Sequence, residues 1–274
     1  FALPALLFRA LSQRPVAEIV NTSYLAAYLG GTLALVVLGY AVSRRLLGQD
    51  RATAAFSAMG MSCPNSGFVG YPIMLLTFPP IAGTVLALNM FVENIFVIPV
   101  LLMLAERSKG AEGHPLTVLW GALKRLAVNP IVIGLAAGLF VSLTRLPLPG
   151  FVVRSVDIFA SSSAALSLFF IGGTLCGLPA AGMAKRVVPV VIGKLVAHPL
   201  IMLLAVLAVT AVGLAPIPSP LREAVILSAA MPIFGIYPIL AAQFDREGFS
   251  AIALLATTVV SFATISLLLW LLTG

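Results

Sequence analysis

The stretch Met61-Ser-Cys-Pro-Asn-Ser-Gly-Phe-Val-Gly-Tyr-Pro72 stands in the middle of an apolar run and breaks it. Residues 54–78 have about the length that crosses a bilayer as a helix at 1.5 Å per residue. A continuous helix cannot run through them. Pro64 lacks a backbone donor and crowds the preceding turn, while Gly67 and Gly70 open backbone angles closed to other residues. At membrane depth, unpaired backbone groups survive only where protein buries them or a wet cavity meets them. The pattern is that of a discontinuous helix of the kind that lines a binding site.

A second break, Ala229-Ala-Met-Pro-Ile-Phe-Gly-Ile-Tyr-Pro238, interrupts the run 221–244 in the same relative place. Both breaks contain Pro-x-x-Gly, Pro64 to Gly67 and Pro232 to Gly235, and both have a further proline, Pro72 and Pro238. Paired broken helices in the two halves of a membrane chain predict an internal repeat with the site between them. Two unrelated proline kinks are the plainer alternative.

Composition sets the broad class. With 61% hydrophobic residues and 9% charged, and a mean hydropathy of +1.12, no soluble surface can be assembled. The fold class is an all-α polytopic membrane protein in the lipid bilayer. The excess of Lys and Arg lies in short connections between apolar runs, where topology explains it, so no nucleic-acid partner follows. Cys63 and Cys176 fall inside expected spans, without a second thiol or a histidine at ligand spacing, and read as small buried residues with no disulfide and no metal. No cofactor motif occurs, and no Ser and Lys, Asp pair or His-rich pattern stands at catalytic spacing, so an enzyme is not expected.

In chain order, residues 1–11 are apolar but too short to span, with no initiating Met and no charged leader, so a first helix is expected upstream of Phe1. Spans follow at 23–46, 54–78 (broken), 82–105, 129–143, 151–178, 185–213, 221–244 (broken) and 249–272. The connector 106–114 leads to a half-amphipathic stretch, 115–125. Asn129-Pro130 is expected to cap the start of its helix. Ser161, Ser162 and Ser163 form a cluster, Gly172-Gly173 a close-packing pair, and Asp157 is expected to pair with Arg154 one turn before it. Folding the second half on the first pairs the two broken helices, 82–105 with 249–272, 23–46 with 185–213, and the opening fragment with 151–178. Only 129–143 lacks a mate, which the upstream helix would supply. Five plus five helices, an odd number per half, make the repeats inverted, with the two discontinuous helices crossed between them, the arrangement used for alternating access.

Charge orients the chain. One side carries Arg44, Arg45, Arg51, Arg107, Lys109, Lys124, Arg125, Lys185, Arg186 and Arg246; the other has only Arg9, Arg14, Arg145, Arg154 and Arg222. The richer side is cytoplasmic by the positive-inside rule, which puts the C-terminus outside a multi-pass protein of the cytoplasmic (inner) membrane.

Where a helix breaks, the half that follows presents free N–H groups and a partial positive charge that attract a carboxylate. The expected substrate-binding residues are therefore Pro64, Asn65, Ser66 and Gly67 from the first break and Pro232, Gly235, Ile236 and Tyr237 from the second, with Ser162 facing them or packing as a small helix-contact residue. Opposing half-helix carbonyls suit Na⁺ or a protonated partner, so the expected coupling ion is Na⁺ or H⁺. Glu93 is an acid deep within an apolar span and is a functional candidate on that ground; its alternatives are proton coupling and a structural pairing with Asn89 or Asn94. Lys194 reads as a counter-charge to a dianion or as a partner of Glu93. His198 titrates near neutral pH, the alternative being a bond to a nearby carbonyl.

The residues that carry a family resemblance are Phe1-Ala-Leu-Pro-Ala-Leu-Leu-Phe8, Asn65-Ser-Gly-Phe-Val-Gly-Tyr-Pro72, Asn129-Pro130 with Gly134 and Gly138, Lys194 to Pro199, and the Pro232 break. In this order, and over essentially the whole chain, they resemble the bacterial branch of the auxin efflux carrier family. Asn89-Met-Phe-Val-Glu-Asn-Ile-Phe-Val-Ile-Pro99 looks like the members labelled malonate transporters. The resemblance implies ten helices, a scaffold domain (1–14 and 115–178), a moving transport domain (23–110 and 185–274) and a homodimer. The expected function is secondary transport of a small organic anion, malonate or a similar carboxylate. Gly67 stands where the plant carriers have a tyrosine, and Ile233 and Phe234 where they are polar, so a carboxylate smaller than indole-acetic acid fits better. The alternatives are a sodium-bile-acid-like symporter and a membrane channel or sensor.

Overall fold

The computed structural model describes residues 1–13, 21–109, 128–176 and 184–273. The expected stretch 115–125 with Lys124 and Arg125, and Arg14, lie outside the described residues, as do the surroundings of Gly172 and Gly173 and the side chains of Cys176 and Lys185. The described chain is all helical, with no strand. Its helices are α1 (Ala2–Ser12), α2 (Thr22–Arg45), α3 (Arg51–Ser62), α4 (Tyr71–Thr77), α5 (Ala82–Val92) and α6 (Ile98–Glu106). They continue as α7 (Pro130–Thr144), α8 (Gly150–Cys176), α9 (Ala184–Ile192), α10 (His198–Ala211), α11 (Leu221–Ala229), α12 (Tyr237–Ala242) and α13 (Glu247–Thr273).

The local chemistry explains these boundaries. Asn21 caps α2 by accepting from the Tyr24 amide (2.8 Å), Asp50 caps α3 by accepting from Ala52 and Thr53 (3.0 and 3.1 Å), and Asn129 caps α7 by accepting from Ile131 (2.9 Å) ahead of Pro130. Each cap occupies one of the amides a helix start leaves unpaired. Both expected breaks are real: the first run loses helical form between Ser62 and Ser66, the second between Ala229 and Tyr237. Three π turns, Ser66–Gly70, Glu93–Val97 and Gly193–Ala197, lead into α4, α6 and α10, and each has a proline just beyond it, Pro72, Pro99 and Pro199. Proline withholds the amide that would continue the α ladder, and a wider turn absorbs the mismatch.

Four uninterrupted helical stretches are long and apolar enough to cross a membrane: Thr22–Arg45, Ala82–Glu106, Arg186–Ala211 and Glu247–Leu272. The other expected spans are the two broken ones, the shorter Pro130–Thr144, and α8, which carries Arg154 and Asp157. Large apolar side chains point outward along these helices, among them Leu38, Phe140, Leu204 and Trp270. No water-facing surface tolerates so many; a lipid-facing one requires them.

Helix α1 packs on α7 and α8, with Gly134 and Gly138 of α7 against the Pro4 and Phe8 backbone. Small residues at that spacing let two backbones approach closely. A second group of contacts joins α2 to α3 and α10, α3 to α6, α10 to α11, and both α9 and α12 to α13. Helix α8 touches the Ser66–Gly70 turn and α1 touches α5, so the first break lies where the two groups meet. Asp157 reaches across to Arg9 on α1 (3.1 Å) and accepts from Gln13, a bond between helices where the sequence spacing suggested Arg154 on the same one.

Candidate functional site

The two breaks touch. The Asn65 amide donates to the Pro232 carbonyl (2.7 Å), and Pro64 and Ile233 run antiparallel as an isolated bridge. Neither segment is helical, so each has backbone groups without partners on its own strand of chain, and each satisfies the other. The Tyr237 hydroxyl adds a second tie, donating to the Phe56 carbonyl of α3 (2.6 Å), with the Phe56 and Tyr237 rings 6.1 Å apart. Gly60 makes room for this: a Cβ there would lie 3.0 Å from that hydroxyl and 2.7 Å from Val190.

The expected binding residues divide accordingly. Pro64, Asn65, Ser66, Gly67 and Pro232 are buried at the contact, whereas Gly235 is half-buried and Ile236 exposed. The Asn65 side-chain oxygen accepts from the Phe68 amide (3.0 Å) and so caps the second half of the first broken helix. Its own amide is engaged by Pro232, and the Tyr237 amide by the Phe234 carbonyl (3.1 Å). The amides of Ser66 and Gly67 are the first of their turn, where the break leaves no helical carbonyl behind them. Gly67 packs against Leu3 of α1 and Met90 of α5. Ser162 bonds back to Phe159 on its own helix (2.8 Å).

Three side-chain clusters surround the contact. Glu93, at the start of its π turn, accepts from the Ser66 and Tyr28 hydroxyls, both at 2.6 Å. Asn89, one turn earlier, accepts from the Tyr24 hydroxyl (2.7 Å) and donates to Ser228 (2.9 Å) beside the second break. Asn94 turns away and donates to the Met90 carbonyl (2.9 Å). Glu93 thus pairs with neither Asn89 nor Asn94; hydroxyls from two other elements hold it. Lys194, fully buried, lies 2.7 Å from His198 Nδ1 and donates to the Ala229 carbonyl at the end of α11 (3.0 Å). Among the described ion pairs none joins Lys194 to Glu93, although each lies within the other's field. His198 bonds this amine where a carbonyl was the expected alternative.

Sequence reading missed Tyr24, Tyr28 and Ser228. Tyr24 and Tyr28 sit one turn apart on α2 with stacked rings 6.1 Å apart, and two tyrosines at that spacing in an apolar span were the available signal. Between the clusters a void of about 10 Å³, room for roughly one water molecule, is lined by Ser66, Asn89, Ser228, Tyr71 and Met231 among others.

A family model described as a membrane transport protein matches residues 1–271. The chain belongs to that family, the auxin efflux carriers. A Rhizobium meliloti (strain 1021) protein named "Putative malonate transporter" is 28% identical over 272 residues, covering 98% of this chain and 83% of that protein. For an auxin efflux carrier of this composition, the apolar helices are those of a multi-pass membrane protein.

Proposed function

We propose that this carrier is a secondary active transporter of a small organic anion, with malonate the first candidate. It works by alternating access across the cytoplasmic membrane and couples to H⁺ or Na⁺. The observation that carries the reading is the backbone contact between the two breaks, bordered by Ser66, Asn89, Glu93 and Ser228. In this architecture the breaks cross between inverted five-helix repeats, and a carboxylate binds at the start of the second half of the first broken helix, to the Ser66 and Gly67 amides. The packing of α1 on α7 and α8 supports a scaffold separate from the group that carries the breaks. The protein acts as a homodimer with its C-terminus outside. The named relative supports malonate.

The test is uptake of labelled malonate into proteoliposomes, with pH and Na⁺ gradients imposed separately and succinate and indole-acetic acid as competitors. Saturable uptake with counterflow, driven by one gradient and competed better by succinate, is expected. Non-saturable flux would point to a channel, and no uptake under either gradient would remove malonate as substrate.

A further inference from the structure

Lys194 is placed where a metal cation would be expected. It is fully buried, and its bonded partners are the carbonyl that ends α11 and an imidazole, both uncharged donors of lone pairs. The last carbonyls of a half-helix lack helical partners and carry the negative end of its dipole, which is what coordinates a coupling cation in broken-helix carriers. Here an ammonium group on the chain itself takes that position. Gly193 allows it, because a Cβ there would meet Met61 at 2.5 Å and push the π turn off α3.

His198 gives the arrangement a second property. Its Nε2 is buried and has no hydrogen-bond partner among the described residues. Protonated Lys194 donates to Nδ1 of a neutral imidazole whose hydrogen is on Nε2; neutral Lys194 accepts from Nδ1–H of the other tautomer, leaving Nε2 bare. The 2.7 Å contact is made in both states, so the pair can differ by one proton without coming apart.

We propose, building on the transport reading, that the carrier bears its coupling charge on Lys194. The ammonium group fills the carbonyl end of α11 in place of bound Na⁺, and the proton it exchanges through His198 is the coupling ion. A proton passes from Lys194 to Nδ1 as the Nε2 proton passes to a water molecule from whichever side the carrier opens to, which becomes hydronium, and the reverse sequence reloads the amine. The ionisable groups facing it are Cys63 at the first break, Glu93 with its donor Tyr28, and His198 itself. The other elements packed against its turn carry charge only at their starts, Arg51 on α3, Lys185 and Arg186 on α9, and Glu247 on α13.

Two measurements test this. The first needs no substrate: the melting temperature of the purified protein with Na⁺ exchanged for K⁺ at constant ionic strength. No shift is expected; a rise of about 3 °C or more with Na⁺, the size a saturating ligand gives a protein of this length, would overturn the proposal whatever the carrier transports. The second follows lumenal pH in malonate-loaded proteoliposomes. Wild type is expected to move protons with malonate. Lys194→Arg keeps the cation but cannot release its proton, and is expected to lower the number of protons moved per malonate transported at least about tenfold. His198→Gln, which leaves Lys194 in place, is expected to slow proton movement per malonate transported at least about tenfold. Proton movement at the wild-type rate in either variant would make Lys194 a structural cation and refute the coupling role. Absence of malonate exchange in wild type would instead strike the substrate reading, with the Na⁺ melt still deciding whether Lys194 holds the cation position.

Discussion

Replacing Gly134 by alanine tests whether α1 and α7 really meet backbone to backbone. The added Cβ would lie 2.6 Å from the Pro4 carbonyl oxygen and 3.1 Å from the Pro4 Cα, and no side-chain rotation can relieve contacts with main-chain atoms. To restore ordinary separations of about 3.4 Å the helices must part by several tenths of an ångström. Overpacking of this kind costs about 1–3 kcal/mol. Alanine's better helix propensity offsets up to about 1 kcal/mol of it. A net loss of about 1–2 kcal/mol corresponds, at roughly 2–4 °C per kcal/mol, to a fall in melting temperature of about 2–8 °C. Gly30→Ala is the control: it sits in α2 with nothing within 4 Å of the new methyl, so only the propensity gain applies and the melting temperature should hold or rise. Both variants would be measured by fluorescence-detected melting in the same detergent. If Gly134→Ala melts at or above Gly30→Ala, the close approach of α1 to α7 is wrong.

Two further outcomes are expected. Tyr237→Phe removes the hydroxyl that donates to Phe56 while keeping the ring contacts, so it should cost about 1 kcal/mol in melting experiments; an unchanged melting temperature would mean the hydroxyl does not tie the two broken helices. Asp50→Ala should cost about 1 kcal/mol through its lost cap. Partial burial raises the Asp50 carboxyl, but Thr53 and Arg246 outweigh it and hold it below the usual carboxylate range. Its contribution is thus complete above that range and is lost as the pH falls from it through the lower pKa of the folded state, so the gap between wild type and Asp50→Ala should close in acid. A gap independent of pH would contradict the assignment.

The breaks were legible because proline and glycine have backbone consequences that no apolar context cancels. Pro64 and Pro232 had to end their helices, and Asn129 before Pro130 had to cap one. Which side chains would meet was not legible. Glu93 takes its donors from positions 65 and 27 residues away, and the nearest amides in sequence, Asn89 and Asn94, turn to other partners. Lys194 bonds a main-chain carbonyl, a group every residue carries, so no residue type could have announced it. Spacing paired Asp157 with Arg154, yet Arg9 on a neighbouring helix takes it, because helix packing and not helix period decides contacts between elements. The three π turns also leave no sequence signature beyond the proline that follows each.

The bond from the Asn65 amide to the Pro232 carbonyl has a consequence for how this protein tolerates change. Donor and acceptor both belong to the main chain, so a library that exchanges side chains one by one leaves the junction of the two breaks intact at almost every member. Only proline at position 65 deletes the donor. Mutational tolerance at Asn65 therefore reports on its cap of Phe68, while the joint itself stays invisible to such a survey, protected from drift by being common to nearly all amino acids.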